Sequence, residues 1–228
     1  MIKALASGST GNAYLLGRIL IECGIPYPKI LKLGGWITPK ACIITHSHND
    51  HAKSTKDVAK HGIPIYASAG TLDEIDPKGK LRRAYVMSPE TPYQILDWTV
   101  TPYTSKHCFG AFYYILEKDN EKLIFSTDNA QIEEDHADLT EIYIEANYSE
   151  EDLKKNEYLR DSKRVEAIRV HMSLEDCLEF LNRQDLSTVR KIILIHLSAE
   201  NSDPADYVNR IQSATGVPTY IATEEIDR

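Results

Sequence analysis

Short apolar runs separated by turn residues dominate the first part of the chain. Residues 2–6, 13–16 and 19–23 are such runs, and Gly17-Arg18 suits a two-residue hairpin with glycine first. Between the first two lies Ser7-Gly8-Ser9-Thr10-Gly11-Asn12, a dense turn signal. Residues 41–45 read as a buried strand running into His46, and 51–61 as a polar surface helix closed by Gly62. Further strands are expected at 64–67, 83–87 and 98–103. A hairpin is expected from 112–116 and 122–126 around Lys118-Asp119-Asn120, followed by a strand at 141–146. The charged stretch 149–169 predicts helix. Ser173-Leu174-Glu175-Asp176 is a capping-box pattern opening a helix to about residue 182. A strand at 191–195, a helix from Asp203-Pro204 to Gly216 and a strand at 217–222 complete the pattern. Strands in hairpins followed by alternating strands and helices predict an α/β protein with two sheets between helices.

Size and composition narrow this further. The 228 residues show no repeat, linker or low-complexity tract, so one domain, 1–228, is expected. Apolar residues make up 42% and charged residues 26%, which excludes wholesale disorder and fibrous repeats. The net charge of −8 argues against a protein that coats nucleic acid by general electrostatics. Residues 1–25 lack the pattern of a signal peptide, and no apolar run is long enough to span a bilayer. Cys23, Cys42, Cys108 and Cys177 are scattered without a CxxC pair, against a disulfide framework. A cytoplasmic protein with no membrane partner is expected.

The chemistry concentrates in His46-Ser47-His48-Asn49-Asp50-His51. His46 and His48 are two apart, so an extended segment points both rings one way. Asp50 and His51 sit where the chain turns into helix and can face a second point. Imidazole and carboxylate together suit Zn²⁺, with Mn²⁺, Co²⁺ or Fe as alternatives. More ligands are needed than one loop supplies. His107, Asp128 and His196 each lie at or just beyond the end of an expected strand, and His171 precedes a helix. His61 and His136 fall outside these positions and read as surface residues.

With these residues in place, the chain resembles the metallo-β-lactamase superfamily. THSHNDH at 45–51 is similar to its HxHxDH signature. The nearest likeness is to the small YycJ/WalJ-like branch of Firmicutes and their phages, through SGSTGN (7–12), LIECG (20–24), TSKH (104–107), FSTD (125–128), IEANY (144–148), HMSLED (171–176) and LIHLSAENSD (194–203). A more distant likeness is to tRNase Z and RNase J, without the β-CASP insertion of the latter. The resemblance implies an αββα sandwich with two divalent metal ions. His46, His48 and His107 would hold one metal, and Asp50, His51 and His196 the other, with Asp128 between. Glu22 stands where the family usually has an aspartate that orients a ligand. Cys108 stands where relatives often have aspartate, and reads as a partly buried thiol. Glu145 and Asn147, at another strand end, are expected to support the site without touching metal.

Two neighbouring cations can generate hydroxide and clamp both oxygens of an in-line displacement, which suits a phosphodiester. The leaving oxygen needs a proton, and His171 is the expected donor alongside Asp50 as a catalytic group. HMS at 171–173 is similar to the histidine motif of the nuclease branches, which makes Ser173 a phosphate contact. Residues 153–172 carry Lys154, Lys155, Arg160, Lys163, Arg164 and Arg169 against three acids, and Arg164 and Arg169 are the expected substrate contacts. Lys78, Lys80, Arg82 and Arg83 form a second basic cluster that reads as a solvated loop. The expected activity is hydrolysis of nucleic-acid or nucleotide phosphodiesters, with DNA exonuclease action implied by the branch. A cyclic-nucleotide phosphodiesterase of phage type is one alternative, and a lactone or thioester hydrolase on the same metals is another. A non-catalytic module is disfavoured by the full set of ligand positions. The tRNase Z likeness implies a homodimer.

Overall fold

In the computed structural model, which describes residues 1–155 and 162–222, the chain forms two compact units. Among the described residues, the first comprises 1–104, 108–114 and 222, and the second 105–107, 115–155 and 162–221.

The first unit is built on a six-stranded sheet whose spatial order follows the sequence: β1 (Ile2–Ala6), β2 (Ala13–Leu16), β3 (Ile19–Ile21), β4 (Ala41–Ile43), β5 (Ile65–Ala67) and β6 (Ala84–Val86). The first three strands pair antiparallel. Gly17, at φ 58, makes the predicted tight turn between β2 and β3. From β3 onward the pairing is parallel, which requires crossovers. These contain α1 (Tyr27–Leu33), α2 (Asn49–Ala52), α3 (Thr55–Lys60) and α4 (Ala69–Ile75). Leu5, Leu15, Leu20, Ile30, Ile44, Val58 and Ile65 share one buried cluster. β7 (Tyr93–Ile95) and β8 (Trp98–Thr104) pair antiparallel within the same unit.

The second unit carries β10 (Glu121–Ser126), β11 (Glu141–Glu145), β12 (Lys191–Ile195) and β13 (Thr219–Ile221) in parallel, in the order β13-β12-β11-β10. Next to β10 runs β9 (Phe112–Lys118), whose first residues belong to the first unit. Every residue of β11 is buried, as expected for a parallel strand covered on both faces. α5 (Glu150–Lys155), α6 (Ser162–Ile168), α7 (Leu174–Arg183) and α8 (Pro204–Thr215) complete the unit. The predicted caps of α7 and α8 form: Ser173 Oγ accepts from the Asp176 N–H, and Asp203 from those of Ala205 and Asp206. Among the described residues, no helix is long and apolar enough to cross a membrane.

Three expectations need correction. The single surface helix at 51–61 is two short helices. The break at 53–54 arises because the Ser54 N–H bonds to the Cys23 carbonyl, and His51, Ala52, Thr55 and Val58 are buried. Helix α1 escapes the sequence reading because Pro26 and Pro28 look like loop. They sit at its cap and first turn, where proline costs no hydrogen bond. His136 is buried rather than on the surface, with its N–H bonded to Gln184 Oε1.

Candidate metal centre

In the first unit, the chain leaves β4 and delivers four ligand-type side chains within six residues. His46 Nε2 and His48 Nδ1 lie 3.0 Å apart, so the two rings do converge on one point. His46 is buried, and its Nδ1 is 3.0 Å from Thr45 Oγ1, which leaves Nε2 for that point. His51 Nε2 lies 3.2 Å from Asp50 Oδ2 and 3.2 Å from Asn12 Nδ2. Glu22 sends Oε1 to the Thr45 N–H at 3.1 Å, and its Oε2 lies 3.7 Å from His51 Nδ1. That second oxygen is fully buried and accepts no hydrogen bond among the described residues.

The backbone around this loop is stitched closely. The Asn12 N–H donates to the Asp50 carbonyl at 2.7 Å, the Cys23 N–H to the His51 carbonyl at 2.7 Å, and the Gly24 N–H to the Asn12 carbonyl at 2.8 Å. A Cβ on Gly24 would lie 1.7 Å from the Asp50 carbonyl oxygen, so only glycine permits this approach. Asn12 and Gly24 support the loop without being ligand-type residues of it. Their signals are the turn at 7–12 and the glycine that ends LIECG.

In the second unit the ligand-type groups come from several strand ends and are gathered by one carboxylate. Glu145, fully buried at the end of β11, accepts through Oε1 from His171 Nδ1 (2.8 Å), His196 Nδ1 (2.8 Å) and Asn147 Nδ2 (3.2 Å). Its Oε2 accepts from the N–H groups of Asn129 and Met172, both at 3.1 Å. Five donors fill a carboxylate's acceptor capacity and leave Glu145 as an orienting group. Burial pushes its pKa up, but the two imidazoles outweigh this and hold it below the usual range. His171 shows the converse. Burial pushes its pKa down, Glu145 and Asp128 push it up, and the net direction is up.

Asp128 lies two residues past β10. Its Oδ2 is 3.7 Å from His107 Nε2 and 3.6 Å from His171 Nδ1, and its Oδ1 is 3.4 Å from His196 Nδ1. His107 donates through Nδ1 to the Val170 carbonyl at 3.0 Å, which fixes Nε2 as the nitrogen with a lone pair. Asn147 holds the His196 carbonyl at 2.8 Å. One ligand atom from each of Asp128, Glu145, His171 and His196 lies within 4.8 Å of the others. Glu22, Asp128 and His196 all have positive φ, at 64°, 43° and 53°. Each follows a strand end, and the left-handed turn redirects its side chain.

Ser173 is buried, with its hydroxyl on Asp176 at the start of α7. Arg169 pairs with Glu150 at 3.2 Å. Arg160, and the side chains of Lys163 and Arg164, lie outside the described residues. Cys108 is half-buried and in no disulfide.

A divalent cation fits these residues. Ring nitrogens of neutral imidazoles and carboxylate oxygens are the donor set that Zn²⁺ prefers. The buried Glu22 Oε2 is also suited to accept from His51 Nδ1 once Nε2 is engaged by a cation.

Comparison with known proteins agrees. A family model described as the beta-lactamase superfamily domain matches residues 19–197. In sequence, the chain is 28% identical over 221 residues to the exodeoxyribonuclease WalJ of Streptococcus pneumoniae serotype 2 (strain D39), covering 87% of this chain and 81% of that protein. In structure it is similar to the metallo-beta-lactamase fold protein YhfI of Bacillus subtilis, with a TM-score of 0.73 and 14% identity over 98% of this chain and 96% of the other. Human tRNase Z, short form, matches with a TM-score of 0.60 and 15% identity over 87% and 93%. These structural likenesses show the αββα sandwich. The chain therefore belongs to the beta-lactamase superfamily, as a hydrolase of the metallo-β-lactamase fold.

Proposed function

We propose that the protein is a metal-dependent phosphodiesterase that hydrolyses nucleic-acid or nucleotide phosphodiesters, with DNA ends as its first substrate. The observation that carries this reading is the pairing of ligand-type donors with His171, whose Nδ1 is held by Glu145 at 2.8 Å. The similarity to a protein named as an exodeoxyribonuclease supports DNA as the substrate. In this reading the two units act as one domain, 1–228. His46, His48 and His107 would hold one cation and Asp50, His51 and His196 a second, and Asp128 would serve as a further ligand. Zn²⁺ is the first choice and Mn²⁺ the alternative. Bound, the two cations supply a nucleophile at neutral pH and oppose the charge on the nonbridging oxygens.

The chain's own residues do the rest. Glu145 accepts the Nδ1 proton of His171, which fixes the ring and leaves its second nitrogen to face substrate. Held at 2.8 Å by the Glu145 carboxylate, the ring is set in orientation to hand a proton to the leaving oxygen. Glu22 and Asn147 position His51 and His196. Arg164 and Arg169 belong to the reading as phosphate contacts, and Ser173 as the residue that holds the start of α7 beside His171. A cytoplasmic setting and homodimeric assembly complete it.

The test is a substrate panel on metal-loaded protein: single- and double-stranded DNA, RNA, cyclic nucleotides, bis(p-nitrophenyl) phosphate, nitrocefin and a lactone. We expect phosphodiester cleavage that Asp50→Ala abolishes. Metal analysis should show two ions per chain, with losses in both His48→Ala and His196→Ala. Cleavage of the lactone and of no phosphodiester would overturn the reading.

A further inference from the structure

Of the large apolar side chains among the described residues, Phe109 is the most exposed, at 84%. A single exposed apolar residue is ordinary. This one is held in place, within the first unit, beside the histidine loop. Cys108-Phe109-Gly110-Ala111 forms a turn closed by the Ala111 N–H on the Cys108 carbonyl at 3.1 Å, and Gly110 at its third position has φ 78°. Thr71 Oγ1 donates to the Gly110 carbonyl at 3.2 Å, which ties the turn to α4. A Cβ on Gly110 would lie 2.7 Å from Ser68 Oγ, so the turn sits directly against the start of that helix. Just past the turn, the Phe112 N–H donates to the carbonyl of Thr45, the residue before His46, at 3.0 Å.

The ring itself rests on α4. A Cβ on Gly70 would lie 2.8 Å from its Cε1 and 2.9 Å from its Cδ1, so one edge of the ring covers Gly70 and the rest faces solvent. Glu74 is four residues on, hence on the same face of the helix at about 6 Å. Glu74 accepts from the hydroxyl of Ser47, the residue between His46 and His48. The ring and the histidine loop thus lean on one helix face a single turn apart, and His48 and Asn49 of that loop are exposed. Asp73 and Glu74 make this stretch of α4 acidic, so it repels a phosphate backbone and leaves the ring to an uncharged, flat partner. A nucleobase is such a partner, because every base has a π-face and stacking asks for no cation.

We infer that Phe109 is a stacking platform for the base of a terminal, unpaired nucleotide, and that it selects a base-bearing phosphodiester end over one without a base. The role in substrate choice rests on the proposed phosphodiesterase activity, whereas the stacking is read by binding alone.

The experiment measures, by anisotropy, the affinity of the metal-loaded protein for two short phosphorothioate oligo-dT strands labelled internally with fluorescein. One carries bases throughout, and the other has base-free tetrahydrofuran residues at both ends. Wild type should bind the first about 5-fold or more tightly than the second. Phe109→Ala should lose a similar factor on the first strand, and the two losses should not add. Phe109→Trp should restore the preference. Gly70→Ala leaves the ring intact but displaces it from its seat, and should give a smaller loss than Phe109→Ala. Circular dichroism and metal content check that each variant folds and loads. Equal affinity of wild type for both strands, or wild-type affinity in folded Phe109→Ala, would overturn the inference, and cleavage of DNA by that same wild type would leave the proposed function standing. A preference that depends on Phe109 in a protein that cleaves no phosphodiester would sink the proposed function and leave the stacking site. A dimer in sedimentation that Phe109→Ala turns into monomer, with affinity unchanged, would overturn the inference in favour of an interface between copies of the chain.

Discussion

In the first unit, four ligand-type residues come from six consecutive positions, 46–51, and backbone bonds from Asn12 and Cys23 set their geometry. In the second unit, His107, Asp128, His171 and His196 come from separate parts of the chain, and a single buried carboxylate, Glu145, orients two of them. The first arrangement is rigid because neighbouring backbone fixes it. The second depends on side-chain hydrogen bonds, and hence on one charge. The two halves should therefore fail in different ways: the first through backbone displacement, the second through loss of charge.

The largest effect is expected where backbone meets backbone. In Gly24→Ala the new Cβ would lie 1.7 Å from the Asp50 carbonyl oxygen and 2.8 Å from the Asn12 nitrogen. Neither atom can rotate away, so we expect a loss of at least about 3 kcal/mol in urea unfolding, with metal content falling in parallel. A near-neutral Gly24→Ala would show that the first half is not fixed by its backbone.

Next in size is the contrast between the two orienting carboxylates. Glu145→Gln places an NH₂ among donors whichever way the amide turns, and metal affinity should fall about 10- to 100-fold in chelator competition. Glu22 accepts one N–H and faces a single imidazole nitrogen, so an amide there meets two donors where Glu145 meets five. Glu22→Gln should thus cost clearly less than Glu145→Gln. The reverse order would break the comparison.

The smallest effect concerns pH. Burial lowers the pKa of His136 in the second unit, against the nearby carboxylates of Glu134, Asp135 and Glu117. The unfolded chain then binds this proton more readily. Its contribution to stability is complete above about pH 6.5 and is lost as pH falls through the lower folded value. Urea midpoints at about pH 7.5 and 5.5 should fall less steeply in His136→Gln than in wild type. The proposed single domain adds that one transition, not two, carries the shift.

How much of this was legible in the sequence follows from the same contrast. The ligand loop could be read directly, since 46–51 states its residues and the two-residue spacing of His46 and His48 fixes their direction. Most strands, and the caps at Ser173 and Asp203, were equally legible because each signal is local, whereas the short β7 and α4 were not read. Glu145 could be placed near the site but not recognised as its organiser, because that role depends on which strands lie side by side. The helix break at 53–54 and the burial of His136 were hidden for the same reason: their partners, Cys23 and Gln184, are distant in sequence.

The left-handed turns at Glu22, Asp128 and His196 restrict what could replace these residues. Backbone torsion filters candidates before coordination chemistry does. Asparagine, aspartate, histidine and glycine tolerate that torsion, whereas valine, isoleucine and threonine do not. A library at 128 or 196 built to change metal preference should draw from the first group, because a β-branched substitution would be lost to misfolding before its affinity could be read. The same filter makes glutamate at 22 the least comfortable of the three, and Glu22→Asp is a substitution in which conformational relief and a shorter reach toward His51 pull in opposite directions.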